Sequence, residues 1–97
     1  MSPEQLQEIL QLCDAPAADE RGFRELPQKT TLTFYVAKDS VGLTVSNVEA
    51  LALRGHHMQA RTTKGDLYVL DIEDVFACNI EGRAQAKSAR RAGFASE

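Results

Sequence analysis

The residues best equipped for chemistry are few, and they do not converge along the chain. His56 and His57 are the only histidines. Adjacent residues on an extended backbone point to opposite faces, so this pair chelates one metal ion only if it sits in a turn. No third ligand follows at metal-binding spacing, and a histidine pair on an exposed turn is the simpler account. Asp71, Glu73 and Asp74 form the densest acidic group. Paired carboxylates can divide acid and base roles or hold a divalent cation. No base or nucleophile is interleaved with them, however, and a solvated bend in which Asp71 caps the next amides explains them as well. A contact surface for a basic partner ranks above catalysis for this cluster. Ser40, Ser46 and Ser88 lack the glycine-flanked setting of a nucleophilic serine, and the six glycines are isolated, so no loop cradles a phosphate. The expectation is a protein without catalytic, metal-binding or cofactor-binding residues.

Cys13 and Cys78 are the only cysteines and form no CxxC pair. Each falls on the apolar side of its own predicted element, which makes them small buried hydrophobes rather than a disulfide or redox couple.

Charge separates the chain into a body and a tail. The net charge is −3 over 97 residues. Arg83, Lys87, Arg90 and Arg91 stand against Glu97 alone in the last fifteen positions, while the remainder is acidic. Four bases at spacings of 4, 3 and 1 would line one broad helical face and could neutralise a few phosphates. The acidic body disfavours wrapping nucleic acid, and aromatic stacking partners are few, Tyr35 and Tyr68 being the candidates.

The elements that position these residues follow from pattern. One domain's worth of chain, 43% hydrophobic and 26% charged, is ordinary for a folded protein. Apolar runs stop at four or five residues, far below the roughly 20 that span a bilayer, and no secretory signal opens the chain. A cytoplasmic location is the expectation. Ser2-Pro3-Glu4-Gln5 is a helix start with a capping box, and Leu6, Ile9, Leu10 and Cys13 follow as one apolar stripe. A helix over 3–14 is too short to stand alone in water, so it docks on its own sheet or on a partner. Residues 15–29, punctuated by Pro16, Gly22 and Pro27, read as a connector without regular structure, tacked down by Phe23 and Leu26.

From residue 30 the period changes to two. Leu32, Phe34 and Val36 alternate with Thr31, Thr33 and Tyr35 in a half-buried strand. A second strand starts at Val41, and its apolar positions shift at Ser46-Asn47 from 43 and 45 to 48, 51 and 53, which predicts a bulge or bend. His57–Thr63 and Leu67–Leu70 flank a hairpin turn with Gly65 at the position needing positive φ. The acidic bend leads into Val75–Ile80, with Phe76, Cys78 and Ile80 expected on one face. The fold class is therefore α+β: an N-terminal helix and a strongly bent antiparallel sheet or half-open barrel of four or five short strands over 30–82. The Ala-rich tail, 83–97, lacks Leu, Ile and Val and builds no buried face. A frayed helix or disorder is expected there.

The order helix, strand, bent strand, hairpin, one-turn bend, strand over residues 3–80 resembles an Sm-like small barrel, without that family's RNA-contacting residues. VGLTVSNVEALALRGHHMQARTTKGDLYVL, residues 41–70, resembles the first half of a LytTR-type DNA-binding domain. The second half of that pattern has no counterpart after Ile80. Arg21, Arg24 and Asp39-Ser40-Val41-Gly42 resemble the PilZ cyclic-dinucleotide pattern, at different spacings. No functional residues carry over from these three.

The leading functional expectation is a non-enzymatic adaptor or regulator that works by protein–protein contact, through an edge strand or the N-terminal helix, with homodimerisation as its simplest form. Leu6, Ile9, Leu10, Asp71, Glu73 and Asp74 are its candidate contacts. The alternative is a nucleic-acid-binding regulator that uses the small barrel with Arg83, Lys87, Arg90 and Arg91.

Overall fold

The computed structural model of the protein describes residues 1–82. Helix α1, Pro3–Leu12, begins as its residues dictate. The Gln5 amide donates to Ser2 Oγ at 3.2 Å, and the Ser2 amide donates to Gln5 Oε1 at 2.8 Å, closing the capping box. Leu6, Leu10 and Cys13 are buried against the chain's own sheet, and Ile9 is half-buried. The N-terminal ammonium donates to the Val75 carbonyl at 2.7 Å, which anchors the start of the helix. The helix is thus a cap on the core, and its buried leucines supply about 1.5–3 kcal/mol each by leaving water.

The stretch expected to be an irregular connector contains a strand. β1, Phe23–Glu25, pairs antiparallel with Ala50–Ala52. Three residues with no apolar alternation give no strand signal, and the pairing is imposed by neighbours. Asp19 first turns the chain, its carboxylate accepting from the Arg21 and Phe23 amides at 2.8 and 3.0 Å. Those amides hold the Asp19 carboxyl below its ordinary pKa, the Phe23 amide most. Arginines then fasten the segment. Arg24 donates to the Ala15 and Pro16 carbonyls at 2.8 and 2.9 Å, and Arg54 to the Arg21 carbonyl.

β2, Thr30–Lys38, sends Leu32 and Phe34 into the core. β3, Val41–Arg54, is one continuous 14-residue strand with the expected bulge at Ser46-Asn47. Two irregularities bend it without breaking it. Leu32 pairs with Val48 but Phe34 with Val45, so Ser46 and Asn47 oppose Thr33 alone, and Asn47 takes φ 58°. On the other side Val48 pairs with Thr62 but Ala50 with Arg61, leaving Glu49 extra. These bulges produce the shift in apolar phase: Val45, Val48 and Leu51 are all buried.

β4, His57–Thr62, and β5, Leu67–Asp71, form the expected hairpin, with Gly65 at φ 92°. A single 3₁₀ turn, Ile72–Asp74, is capped by Asp71, whose carboxylate accepts from the Glu73 amide at 3.2 Å. β6, Val75–Gly82, returns along β2. Here one expectation fails. Cys78 and Ile80 pack on the core, but Phe76 is 67% exposed. Val36 pairs with Val75 and Tyr35 with Ala77, so Phe76 is the unpaired residue of a bulge and Val75 takes the inward place.

Among the described residues the sheet order is β5-β4-β3-β2-β6, with β1 beside the second half of β3. The class is α+β, one helix followed by an antiparallel sheet that stays open. No helix among the described residues is long and apolar enough to cross a membrane.

Candidate functional site

The predicted contact residues are distributed over separate places. Leu6 and Leu10 are 0% exposed within the core, so they cannot meet a partner while α1 is docked. Ile9 lies at the surface of the helix, in a groove of about 580 Å³ that Met1, Gln5, Glu8, Gln11 and Leu12 also line. Asp71 and Glu73 are exposed and Asp74 is half-buried. Arg83, Lys87, Arg90 and Arg91 lie outside the described residues.

The fold joins two features that stand apart in the sequence. His57 is the cross-strand partner of Asp71, and the Ile72 amide donates to the His56 carbonyl at 3.0 Å. The histidine pair therefore borders the acidic bend. Among the described residues no group of three or more His, Cys, Asp or Glu could hold a metal ion.

Both thiols are kept protonated. Burial, with Cys13 as a lesser cause, pushes the Cys78 thiol up to about 12. Burial and then Asp14 raise Cys13. A thiol in this state is a poor nucleophile at neutral pH.

Arg61 is a cation paired with two carboxylates. Its guanidinium donates to Glu49 at 3.1 Å, lies 3.4 Å from Glu25, and sits 5.4 Å from the centre of the Phe23 ring. Burial lowers its pKa, but bonds to Glu49 and Glu25 outweigh that and the group stays firmly charged. Ala50 and Ala52, which face Arg61, Phe23 and Gln59 across the ladder, are fully buried. All these groups serve to fasten β1 across the bend of β3.

What remains open is the rim of the sheet. β5 pairs only with β4 among the described residues, which leaves the other side of its backbone free. Its outward side chains include Leu67 and Val69, 52% and 61% exposed. β6 is the other edge and carries Phe76, whose ring lies 6.3 Å from Tyr35. Sequence reasoning passed over Leu67, Val69 and Phe76. The signal for the first two was present: Leu-Tyr-Val-Leu is apolar at every position, while a sheet covered on one side hides only alternate ones.

The chain matches no known protein family, and neither the curated proteins nor the solved structures contain a match to it.

Proposed function

We propose that the protein is an interaction module that recruits an extended partner strand onto the free edge of β5, and that the first such partner is a second copy of itself. The observation that carries this reading is the edge's lack of protection. Sheet edges of monomers are blunted by lysine, proline, bulges or covering loops. Among the described residues β5 has none of these, and it presents two half-exposed aliphatic side chains instead. Antiparallel pairing of two β5 strands about a twofold axis at Val69 sets Val69 opposite Val69 and Leu67 opposite Asp71. No like charges then face one another, because Asp71 is the only charge in the strand. Such an interface is self-complementary and closes as a dimer.

Sedimentation of the full chain over a range of concentrations tests this reading. A dimer that Val69→Lys converts to a folded monomer, with unchanged circular dichroism, is the expected result. A wild-type chain that stays monomeric at about 100 μM, weaker than any Kd a stable interface would show, refutes it. So does a dimer indifferent to Val69→Lys. Salt-sensitive retention of nucleic acid by a monomer would favour the alternative reading through Arg83, Lys87, Arg90 and Arg91.

A further inference from the structure

Between the first half of β3 and the β4–β5 hairpin lies a polar cleft of about 200 Å³. β3 lines it with Thr44, Ser46 and Asn47, and the hairpin with Thr62, Lys64, Asp66 and Tyr68. Backbone bonds hold the two walls together. The Thr63 amide donates to the Asn47 carbonyl at 2.9 Å, and at the hairpin tip the Thr62 amide donates to the Asp66 carbonyl at 2.9 Å. The cleft is therefore formed before any ligand arrives. Asn47 sits at φ 58°, a conformation that glycine would take with less strain; asparagine adds an amide to the cleft instead.

The polar groups here are available. Thr62, 4% exposed, accepts at Oγ1 from the Asp66 amide at 3.2 Å, which leaves its hydroxyl proton to donate. The other lining side chains make no hydrogen bond or ion pair with the described residues. A solvated turn accounts for Lys64 and Asp66, but not for four hydroxyls and an amide that converge from β3, β4 and β5. Their chemistry specifies the ligand. Hydroxyls and an amide both donate and accept, so they suit a partner whose groups do both. Lys64 and Asp66 cancel in charge, and an acceptor-only anion is opposed by Asp66 as a cation is by Lys64. The volume lies below the roughly 300–1,000 Å³ of sites for drug-sized ligands, so one small unit fits.

We propose that this cleft binds one neutral sugar ring, free or as a residue of a glycan. Vicinal hydroxyls on a single ring meet all three conditions: they donate and accept, they carry no charge, and they are compact. The half-buried Tyr68 adds an aromatic surface for the ring's apolar face. The site goes beyond strand pairing at the β5 edge, because Tyr68 lies on the side of that strand opposite Leu67 and Val69.

Amide NMR spectra of the full ¹⁵N-labelled chain test it, with glucose, galactose, mannose and N-acetylglucosamine as free rings and cellotriose, maltotriose and chitotriose as chains. The expected result is that at least one of these moves the amides of residues 44–47 and 62–68 along a saturable curve, with the roughly millimolar Kd of a small, solvent-rimmed unit. That affinity should persist in about 1 M salt, since no net charge carries it. A trisaccharide that binds more tightly than its own monosaccharide assigns the ring to a glycan, and equal affinities assign it to a free sugar. Asn47→Gly keeps the backbone conformation and removes the amide, while Tyr68→Phe removes only a hydroxyl. Each should weaken binding roughly two- to tenfold, the worth of one neutral hydrogen bond. The proposal is overturned if none of these sugars saturates those amides at about 50 mM, well above a millimolar Kd, or if the shifts fall elsewhere. Inorganic phosphate or glycine saturating the same amides at lower concentration overturns it too. So do both variants binding as tightly as wild type with otherwise intact spectra.

Discussion

Leu10 and Leu12 lie two residues apart on α1 and should respond to the same substitution with losses of very different size. Leu10 is 0% exposed and Leu12 is 63% exposed. Leu10→Ala removes buried side-chain volume from a site walled by the sheet and by the remaining helix contacts. The lost transfer energy and the residual cavity together cost about 3–4 kcal/mol, the middle of the range for fully buried leucines. Leu12→Ala removes surface already largely in water and exchanges leucine for a slightly better helix former, so its cost stays within about 0.5 kcal/mol. For a chain of this length about 1 kcal/mol corresponds to 4–8 °C in Tm, so Leu10→Ala should melt at least about 12 °C lower than wild type. Thermal and urea unfolding followed by circular dichroism on both variants reads the contrast directly. Equal losses at the two positions, or a loss below about 1 kcal/mol at Leu10, would refute the description of α1 as a cap on its own core. The helix would then be detachable, and Leu6 and Leu10 would return as candidate partner contacts.

Two further outcomes follow from backbone and thiol geometry. Gly82→Ala should destabilise by at least about 1–3 kcal/mol in urea titrations, because Gly82 has φ 100° and an added Cβ would overlap the Lys29 carbonyl; an unchanged midpoint would contradict that close approach. Cys78 should resist Ellman's reagent at pH 8 and react promptly once the chain is unfolded. Its folded pKa of about 12 lies above the ordinary 9.0. Stability from keeping that thiol neutral is therefore intact below about pH 9 and declines as pH rises through 9 to 12. Cys78→Val should flatten that part of the pH profile, and a profile unaltered by the substitution would remove Cys78 as its source.

The elements that were legible in the sequence are those whose signals are local. Ser2 and Gln5 announce the helix because the capping box needs only its own four residues. Gly65 announces the hairpin because a left-handed turn position selects for glycine. Leu32 and Phe34 announce a strand because one covered face forces a period of two. What was hidden depends on a neighbour. β1 is a strand only because Ala50–Ala52 offer a free edge beside it. Phe76 continues the alternation of Cys78 and Ile80 in the sequence, yet points outward because the ladder to β2 slips there. The meeting of His57 with Asp71 depends on the β4–β5 register, which no single segment encodes. The edge proposed for partner binding was the least legible part, since an unprotected edge is defined by what does not pair with it.

The two bulges in β3 have a consequence for how this chain can vary over generations. Between Val45 and Leu51 the strand spends extra residues, Ser46 or Asn47 and then Glu49, so that both of its halves show the same side to the core. Exchanging one residue for another there leaves that phase intact. Losing Glu49 leaves it intact too: Val48 opposite Thr62 and Ala50 opposite Arg61 would follow one another as a regular ladder, with Leu51 still opposite Ala60. What such a deletion removes is the carboxylate that pairs with Arg61. The crease therefore holds one residue of slack: lenient toward length, and strict about the charge it carries.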